Sequence, residues 1–243
     1  MGEPARAGGD LAEPGGPRRP AVCFHGTMEA VALPGIVVRR IAVGGMDNNV
    51  YLLTAASGDQ LLVDAAADPD AIHRLLAAAA DDAPSPLLRY VLTTHSHRDH
   101  LGALAAVTAA HPDAETLAGE ADADAITSAT GVAIDRRLGH GDVLDLGGVT
   151  LAIIALRGHT PGSVALACAR PGVPAHLFTG DSLFPGGVGR TRSDRDFRSL
   201  FADVADRVFD AYPDDTVVWP GHGRPTTLGA ERPALPQWRE RGW

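Results

Sequence analysis

Four side chains able to bind a metal ion stand close together in the middle of the chain: His95, His97, Asp99 and His100. They come directly after residues 90–93, an apolar run with the composition of a β-strand. Histidine is the commonest metal ligand among side chains, and carboxylates often complete its sites. A His-x-His pair alone is more often part of a solvated polar loop, but the added Asp-His pair favours a metal site.

The spacing of these four residues predicts how they face a metal. Side chains alternate along an extended backbone, so His95, His97 and Asp99 would project to the same side. His100 falls where a helix would begin, because residues 101–110 are rich in good helix formers. We therefore expect this one short loop to supply ligands to two neighbouring ions.

Three further potential ligands follow other apolar runs of the sequence. They are His159 after residues 149–156, Asp181 after residues 175–178 and His222 after residues 216–219. Each lies beside glycine, which lets the backbone turn sharply near a site. One Gly-His pair would more often be an ordinary loop, whereas the ordered set of four segments indicates a metal centre.

Together the four segments resemble the metallo-β-lactamase fold superfamily, whose hallmark is the motif His-x-His-x-Asp-His. The resemblance extends over residues 36–222, most of the chain. It is closest to the glyoxalase II-like hydrolase branch, through residues 178–184 and residues 187–191. The implied fold is of the α/β (α+β) class, a four-layer αβ/βα sandwich, whereas the pattern of elements alone indicates only an α/β protein.

The resemblance also assigns a role to each metal-binding residue. It gives the first metal to His95, His97 and His159. It gives the second metal to Asp99, His100 and His222, with Asp181 as the bridge between the two ions. The expected cofactors are two divalent metal ions, Zn²⁺ in the first place, with iron or manganese as alternatives.

With two such ions, the resemblance implies a hydrolase that uses a metal-bridging hydroxide, foremost on a thioester of a small thiol. Asp99 and Asp181 are the expected catalytic residues, since their carboxylates can accept a hydrogen bond from the hydroxide. Asp64 ends the apolar run 61–63. It is either a residue that orients one of the ligand histidines or an ordinary aspartate at the end of a strand.

Three arginines are expected to bind the substrate. The glyoxalase II-like branch has a basic residue after its Gly-x-Gly segment, and Arg190 occupies that position. Arg192 and Arg224 stand where the branch has aromatic residues, and the stretch after His222 is short for the branch's helical C-terminal region. Guanidinium groups suit an anionic or polyhydroxylated substrate. The expected carrier is therefore a small thiol other than glutathione, with mycothiol as the first candidate.

Other functions are compatible with the same motifs. An enzyme resembling the persulfide dioxygenases would use one iron, held by two histidines and an aspartate, and would not need all seven ligands. A lactonase would apply two-metal chemistry to a cyclic ester. Outside enzymology, the chain would be a metal-binding module, and hydrolysis of a model thioester would separate that alternative from the others.

Composition limits the class of protein and its partners. The chain has 243 residues, 45% of them hydrophobic, and a mean hydropathy of −0.01, as in a soluble globular protein. Its net charge is −9 and all 21 basic residues are arginine, without a basic stripe for nucleic acid. No apolar run reaches the ~18 residues of a membrane helix. We expect a cytoplasmic protein with a small-molecule substrate, no nucleic-acid or membrane partner, and a homodimer as an open alternative.

The elements that must position the ligands follow from the sequence pattern. Residues 1–22 are expected to be a disordered tail, and residues 23–243 the metallo-β-lactamase-fold hydrolase domain. Strands are predicted over residues 36–43, 50–54, 61–64, 87–93, 143–146, 149–156, 164–169, 176–179 and 216–219. Helices are predicted over residues 69–80, 101–110, 120–128 and 197–211. Cys23 and Cys168 fit no metal or redox spacing.

Overall fold

The computed structural model describes residues 28–242, whose strands form two large sheets and one small hairpin. The first sheet has its strands in chain order: β1 (Glu29–Leu33), β2 (Ile36–Val43), β3 (Asn48–Ala55), β4 (Asp59–Val63), β5 (Leu87–Thr93), β6 (Glu115–Gly119) and β7 (Arg136–Leu138). The second sheet contains β8 (Val143–Leu146), β9 (Val149–Ala155), β10 (Val164–Cys168), β11 (His176–Gly180), β14 (Val217–Pro220) and β15 (Thr226–Thr227). The hairpin consists of β12 (Leu183–Phe184) and β13 (Gly187–Val188).

The described residues also form six α-helices. They are α1 (Pro69–Ala78), α2 (Leu104–Ala110), α3 (Glu120–Thr130), α4 (Asp194–Val204), α5 (Leu228–Glu231) and α6 (Leu235–Arg241). A π-helical turn over Ala205–Phe209 continues α4. The helix predicted over residues 197–211 corresponds to α4 and this turn, and its Phe197, Leu200 and Val204 are buried against the second sheet.

Strand β3 illustrates how the layers form, since it is buried along its whole length. Its side chains alternate. Tyr51 and Leu53 join the apolar cluster between the two sheets, whereas Val50 and Leu52 join the cluster beneath α1, α2 and α3. On the other side, α4, α5 and α6 cover the second sheet. The predicted four-layer αβ/βα sandwich is confirmed.

The direction of the strands brings several of their carboxyl ends to one edge of the sandwich. The first sheet is antiparallel from β1 to β4 and parallel from β4 to β7. In the second sheet β11 and β14 run parallel. The segments that follow β4, β5, β9, β11 and β14 therefore meet. Those after β5, β9, β11 and β14 carry the seven predicted ligands, and the segment after β4 carries Asp64.

Two predicted elements differ from the structure near the histidine motif. The helix predicted from residue 101 begins at Leu104, and a 3₁₀ turn over Arg98–His100 precedes it. The cause is a long-range bond, because the Ala103 amide donates to the carbonyl of Ala65 (3.0 Å) beyond the end of β4. Asp99 consequently lies in a turn and does not share one face of an extended strand with the two preceding histidines.

The nine predicted strands and the helices over residues 69–80 and 120–128 are confirmed, with ends that shift by a few residues. Strands β1, β6, β7, β12, β13 and β15 and helices α5 and α6 were not predicted, because most of them are short. The predicted tail, Cys23 and the start of the predicted domain lie outside the described residues; Cys168 is buried in β10. Within residues 28–242, none of the helices combines the length and the apolar character needed to span a bilayer.

Candidate metal centre

Backbone hydrogen bonds hold the ligand-bearing loops against one another. The Val164 amide donates to the Thr94 carbonyl (2.9 Å), which ties the loop after β5 to the second sheet. The Gly221 amide donates to the Gly180 carbonyl (2.8 Å), and the Asn49 amide donates to the Gly221 carbonyl (2.7 Å). These bonds place the loops after β5, β11 and β14 side by side.

All seven predicted ligands meet in this place, in two groups of three with an aspartate between them. In the first group, His95, His97 and His159 offer ligand atoms within 4.8 Å of one another. In the second group, the same spacing joins Asp99, His100 and His222. His95 and His100 are 1% and 0% exposed, so each group reaches from the interior to the surface.

Asp181 lies between the two groups. Its Oδ2 atom is 3.6 Å from Nε2 of His159 in the first group and 3.5 Å from Nε2 of His222 in the second. Its Oδ1 atom is 3.4 Å from Nε2 of His100. One carboxylate therefore contacts both groups, which is the position of a bridging ligand.

Four of the five histidines have the other ring nitrogen, Nδ1, in a hydrogen bond with the protein. The partners of Nδ1 are Thr94 Oγ1 for His95 (3.0 Å), Asp64 Oδ2 for His100 (2.9 Å), the Arg190 carbonyl for His159 (2.7 Å) and the Met46 carbonyl for His222 (2.9 Å). A carbonyl or carboxylate can only accept, so the proton of the neutral ring is held at Nδ1. The lone pair of Nε2 is then directed to the centre.

Several atoms at the centre have no partner within the protein. Nε2 of His95, Nε2 of His159 and Oδ1 of Asp181 are buried and make no hydrogen bond in residues 28–242. Buried polar atoms without a partner are rare in folded proteins. A set of imidazole nitrogens and carboxylate oxygens is the donor set of Zn²⁺, Fe and Mn sites, so these residues fit divalent metal ions. A Cβ atom at Gly221 would clash with Oδ1 of Asp181, which explains glycine at this position.

The side chain of Asp64 holds Thr94 and His100 of this centre in place. Its Oδ1 accepts the Thr94 amide (2.7 Å), and its Oδ2 accepts the Thr94 hydroxyl (2.8 Å) and pairs with Nδ1 of His100 (2.9 Å). Asp64 is 1% exposed and has a φ of 59°, in the left-handed region that few residues other than glycine adopt. Of the two roles expected from the sequence, these contacts match a residue that orients a ligand histidine.

Burial and charge divide the centre into groups with opposite pKa shifts. Burial lowers the pKa of His95, His97 and His159, which favours the neutral imidazole that binds metals. Burial also disfavours the charged form of His100, but the carboxylates beside it raise its pKa to about 10. Asp181 is buried too, yet the neighbouring imidazoles of His100 and His222 hold its pKa well below the usual range. A metal ion would replace the proton on His100.

Asn48 is a site residue that the sequence analysis missed. Its side-chain amide donates to Oδ2 of Asp99 (2.8 Å) and lies 3.4 Å from Nε2 of His222. The neighbouring Asn49 donates to the carbonyl of Pro220 (2.9 Å) and so holds the loop of His222 against β3. Two adjacent buried amides in an otherwise apolar strand were the signal for this role.

Asp122 is a second missed residue, and it connects the loops of the first group. It accepts the Ser96 amide (2.8 Å), the Thr160 hydroxyl (2.5 Å) and the Gly162 amide (2.8 Å). Its side chain is buried, with 1% of the residue exposed. In the sequence Asp122 resembles a solvated residue in the first turn of a helix, so no local signal identified it.

Two of the three arginines predicted to bind substrate lie beside the metal centre. Arg190 and Arg192 line a cavity of about 460 Å³ together with His97 and His159. Arg224 is exposed and does not line this cavity. Its predicted role stays a prediction.

Known proteins resemble this chain in sequence. The family model described as metallo-beta-lactamase superfamily matches residues 43–222. A "Hydroxyacylglutathione hydrolase" of Xanthomonas euvesicatoria pv. vesicatoria (strain 85-10) is 32% identical over 192 residues, which are 76% of this chain and 65% of that protein. The chain thus spans less than two thirds of the length of that curated relative.

Solved structures share both the fold and part of the sequence. The BLEG-1 B3 metallo-beta-lactamase superposes with a TM-score of 0.69 at 26% identity, over 82% of this chain and 98% of that one. TTHA1623 in a di-iron-bound form superposes with a TM-score of 0.62 at 30% identity, over 79% of this chain and 96% of that one. The family model covers most of the chain, and the ligand-bearing loops lie at the same edge of a four-layer sandwich. The protein therefore belongs to the metallo-beta-lactamase superfamily.

Proposed function

We propose that this protein is a hydrolase that uses two divalent metal ions, Zn²⁺ in the first place, to cleave a thioester of a small thiol. The observation that carries the proposal is the pair of three-ligand groups with the Asp181 carboxylate between them. The curated relative named hydroxyacylglutathione hydrolase supports the class of reaction.

In the proposed reaction, two ions when bound supply a water of lowered pKa and a Lewis acid for the substrate carbonyl. The residues around them provide orientation. Asn48 holds Oδ2 of Asp99 by a hydrogen bond of 2.8 Å, so this carboxylate is fixed where it can accept a hydrogen bond from the attacking water. Asp181, in contact with both groups, would add negative charge at the centre and so offset the repulsion between two bound cations.

The cavity beside the centre favours a thioester over other esters. Its lining contains His97, His159, Arg190, Thr191 and Arg192. The two histidines are proposed metal ligands, and the lining has, among residues 28–242, no carboxylic acid, lysine or tyrosine that could protonate a leaving group. A thiol has a pKa of about 8.5, so it can leave as a thiolate without a proton donor. An alkoxide is far more basic and would need one.

A panel of substrates with one common acyl group tests the proposal. Protein loaded with zinc should hydrolyse the thioester at least about tenfold faster, in kcat/KM, than the matching oxygen ester or a lactone. The Asp181→Asn variant, prepared in parallel, is the control for contaminating esterases. A lactone that is cleaved faster than every thioester would overturn the substrate class, and consumption of a persulfide by a protein with one iron would overturn the hydrolase.

A further inference from the structure

A second cavity of about 440 Å³ opens next to the first one and is not explained by the two-metal chemistry. It shares His97, His159 and Arg192 with the first cavity and continues away from the metal centre. Its far side is formed by Arg157, in the segment after β9, and by the start of α4. We call this cavity the outer pocket; the residues that give it its character are Ser96, Arg157, Arg192, Arg195, Asp196 and Ser199.

The outer pocket has more positive than negative charge. Arg157 is neutralised, because its Nε and Nη2 atoms bond to Asp203 at 2.8 Å and 2.7 Å. Arg192 and Arg195 have no hydrogen bond or ion pair with any residue of the described chain, and both are exposed. Asp196 is the one carboxylate in the lining, and it accepts the hydroxyl of Ser193 (2.7 Å). The lining therefore contains two guanidinium groups without an ion pair and one carboxylate.

Unpaired guanidinium groups at the wall of a pocket favour an anion over a neutral hydroxyl group. Arginine binds carboxylates with two parallel hydrogen bonds, and the charge strengthens both. A cavity of about 440 Å³ holds on the order of 15 non-hydrogen atoms, at the ~30 Å³ that one water occupies in the liquid. That volume suits a short carrier built on one amino acid.

We propose that the outer pocket binds the carboxylate of the thiol carrier, and that Arg195 is the residue that selects for it. This proposal rests on the thioester hydrolase proposed above. The acyl group and the scissile carbonyl lie at the metal centre beside His97 and His159, and the carrier extends past Arg192 to Arg195. Ser199, one turn further along α4, offers a hydroxyl to the same group.

Two thioesters that differ only by a carboxylate test the inference. S-acetyl-N-acetylcysteine carries the carboxylate, and S-acetyl-N-acetylcysteamine lacks it. The zinc-loaded wild type should prefer the first, and Arg195→Gln should lower kcat/KM for it about tenfold through a higher KM, the loss expected for one charged hydrogen bond. The loss in kcat/KM for the neutral thioester should be several-fold smaller.

The matched control is Arg198→Gln. Arg198 lies on the same helix as Arg195, but it lines a different groove, together with Phe201 and Arg239. This variant should retain the wild-type preference for the carboxylate. Equal kcat/KM for the two thioesters in the wild type, or an equal loss for both in Arg195→Gln, would overturn the inference.

A binding measurement separates the outer pocket from the proposed activity. If neither thioester is hydrolysed, the proposed function fails, and calorimetry with S-methyl-N-acetylcysteine and its carboxamide tests the pocket alone. Tighter binding of the carboxylate in the wild type, lost in Arg195→Gln and kept in Arg198→Gln, would support the inference. Equal binding of both compounds, or displacement by inorganic phosphate at lower concentration than by acetate, would overturn the assignment to a carboxylate.

Discussion

At the scale of single residues, the histidines of the metal centre differ in how the protein holds them. Nδ1 of His159 and Nδ1 of His222 contact backbone carbonyls, whereas Nδ1 of His100 contacts the buried carboxylate of Asp64. Both kinds of acceptor fix the ring and make it more basic, and the charged carboxylate does so more strongly. The four predicted ligands from His95 to His100 could be identified in the sequence because their spacing is local. Asp64 could be given a role only once its partner was known.

The proposed bridging role of Asp181 predicts that a conservative substitution has a large effect. Asp181→Asn should lower kcat at least about 10²-fold while the fold survives, because a neutral amide joins two cations poorly. Steady-state kinetics on protein with verified metal content and unchanged circular dichroism measures this. Near-normal turnover in the fully metallated variant would show that Asp181 is not the bridge.

Asp64→Asn isolates the effect of the supporting carboxylate. Asparagine tolerates the left-handed backbone at this position, where φ is 59°, so the turn should be kept. We expect metal affinity to fall by about 10–100-fold, the usual loss when the partner of a ligand histidine is removed. Competition with a chromogenic chelator measures the affinity. An unchanged competition curve would assign Asp64 a purely structural role.

At the scale of elements, the centre depends on contacts between segments that are distant in the sequence. The apolar strands and the loops after them were predictable, because each strand has a clear local pattern. The contacts of Asn48 with Asp99 and of Asp122 with the loops of Ser96 and Thr160 were not. They depend on which strand ends become neighbours, and a single sequence does not specify this. The start of α2 at Leu104, three residues later than predicted, also results from a contact between distant segments, the bond of Ala103 to Ala65.

Asp122 allows a test of this connection. Asp122→Ala should leave the amides of Ser96 and Gly162 without their partner, whereas the hydroxyl of Thr160 keeps that of Ser163 (2.6 Å). The free energy of unfolding should fall by about 2–3 kcal/mol, since both amides lose a charged acceptor. Urea denaturation of the metal-free protein, compared with the exposed control Asp124→Ala, gives the value. A loss no larger than that of the control would contradict the role of Asp122 as the link between the two loops.

At the scale of the whole molecule, the two halves of the sandwich each contribute ligands to one edge. The first sheet supplies the His-x-His-x-Asp-His segment, and the second sheet supplies His159, Asp181 and His222. The class of fold was predictable from the family motif, whereas alternation of elements alone indicated only an α/β protein. Homodimer formation and a cytoplasmic location stay predictions.

Asp203 predicts how stability depends on pH. Burial raises its pKa, but the bonds from Arg157 outweigh burial, so the pKa of Asp203 lies below its usual value. A carboxylate of this kind stabilises the fold above its unfolded pKa of about 3.9, and the contribution is lost as the pH falls through the lower folded value. Asp203→Asn should therefore cost about 1–2 kcal/mol at pH 5–7, because Arg157 is partly exposed and its charge is screened.

Urea denaturation of wild type and Asp203→Asn at several pH values checks this. The difference in the free energy of unfolding should be constant from pH 7 to about pH 5 and shrink below about pH 4. A difference that grows as the pH falls would contradict the assigned direction of the pKa shift.

The central claim is that two metal ions act together, and a zinc titration tests it most directly. Metal-free protein is titrated with Zn²⁺ while the initial rate of thioester hydrolysis is followed and the bound zinc is measured by elemental analysis. The proposed centre predicts that the rate keeps rising until about two ions are bound per chain. Full activity with one bound ion, or activity that appears only with a single iron, would contradict it.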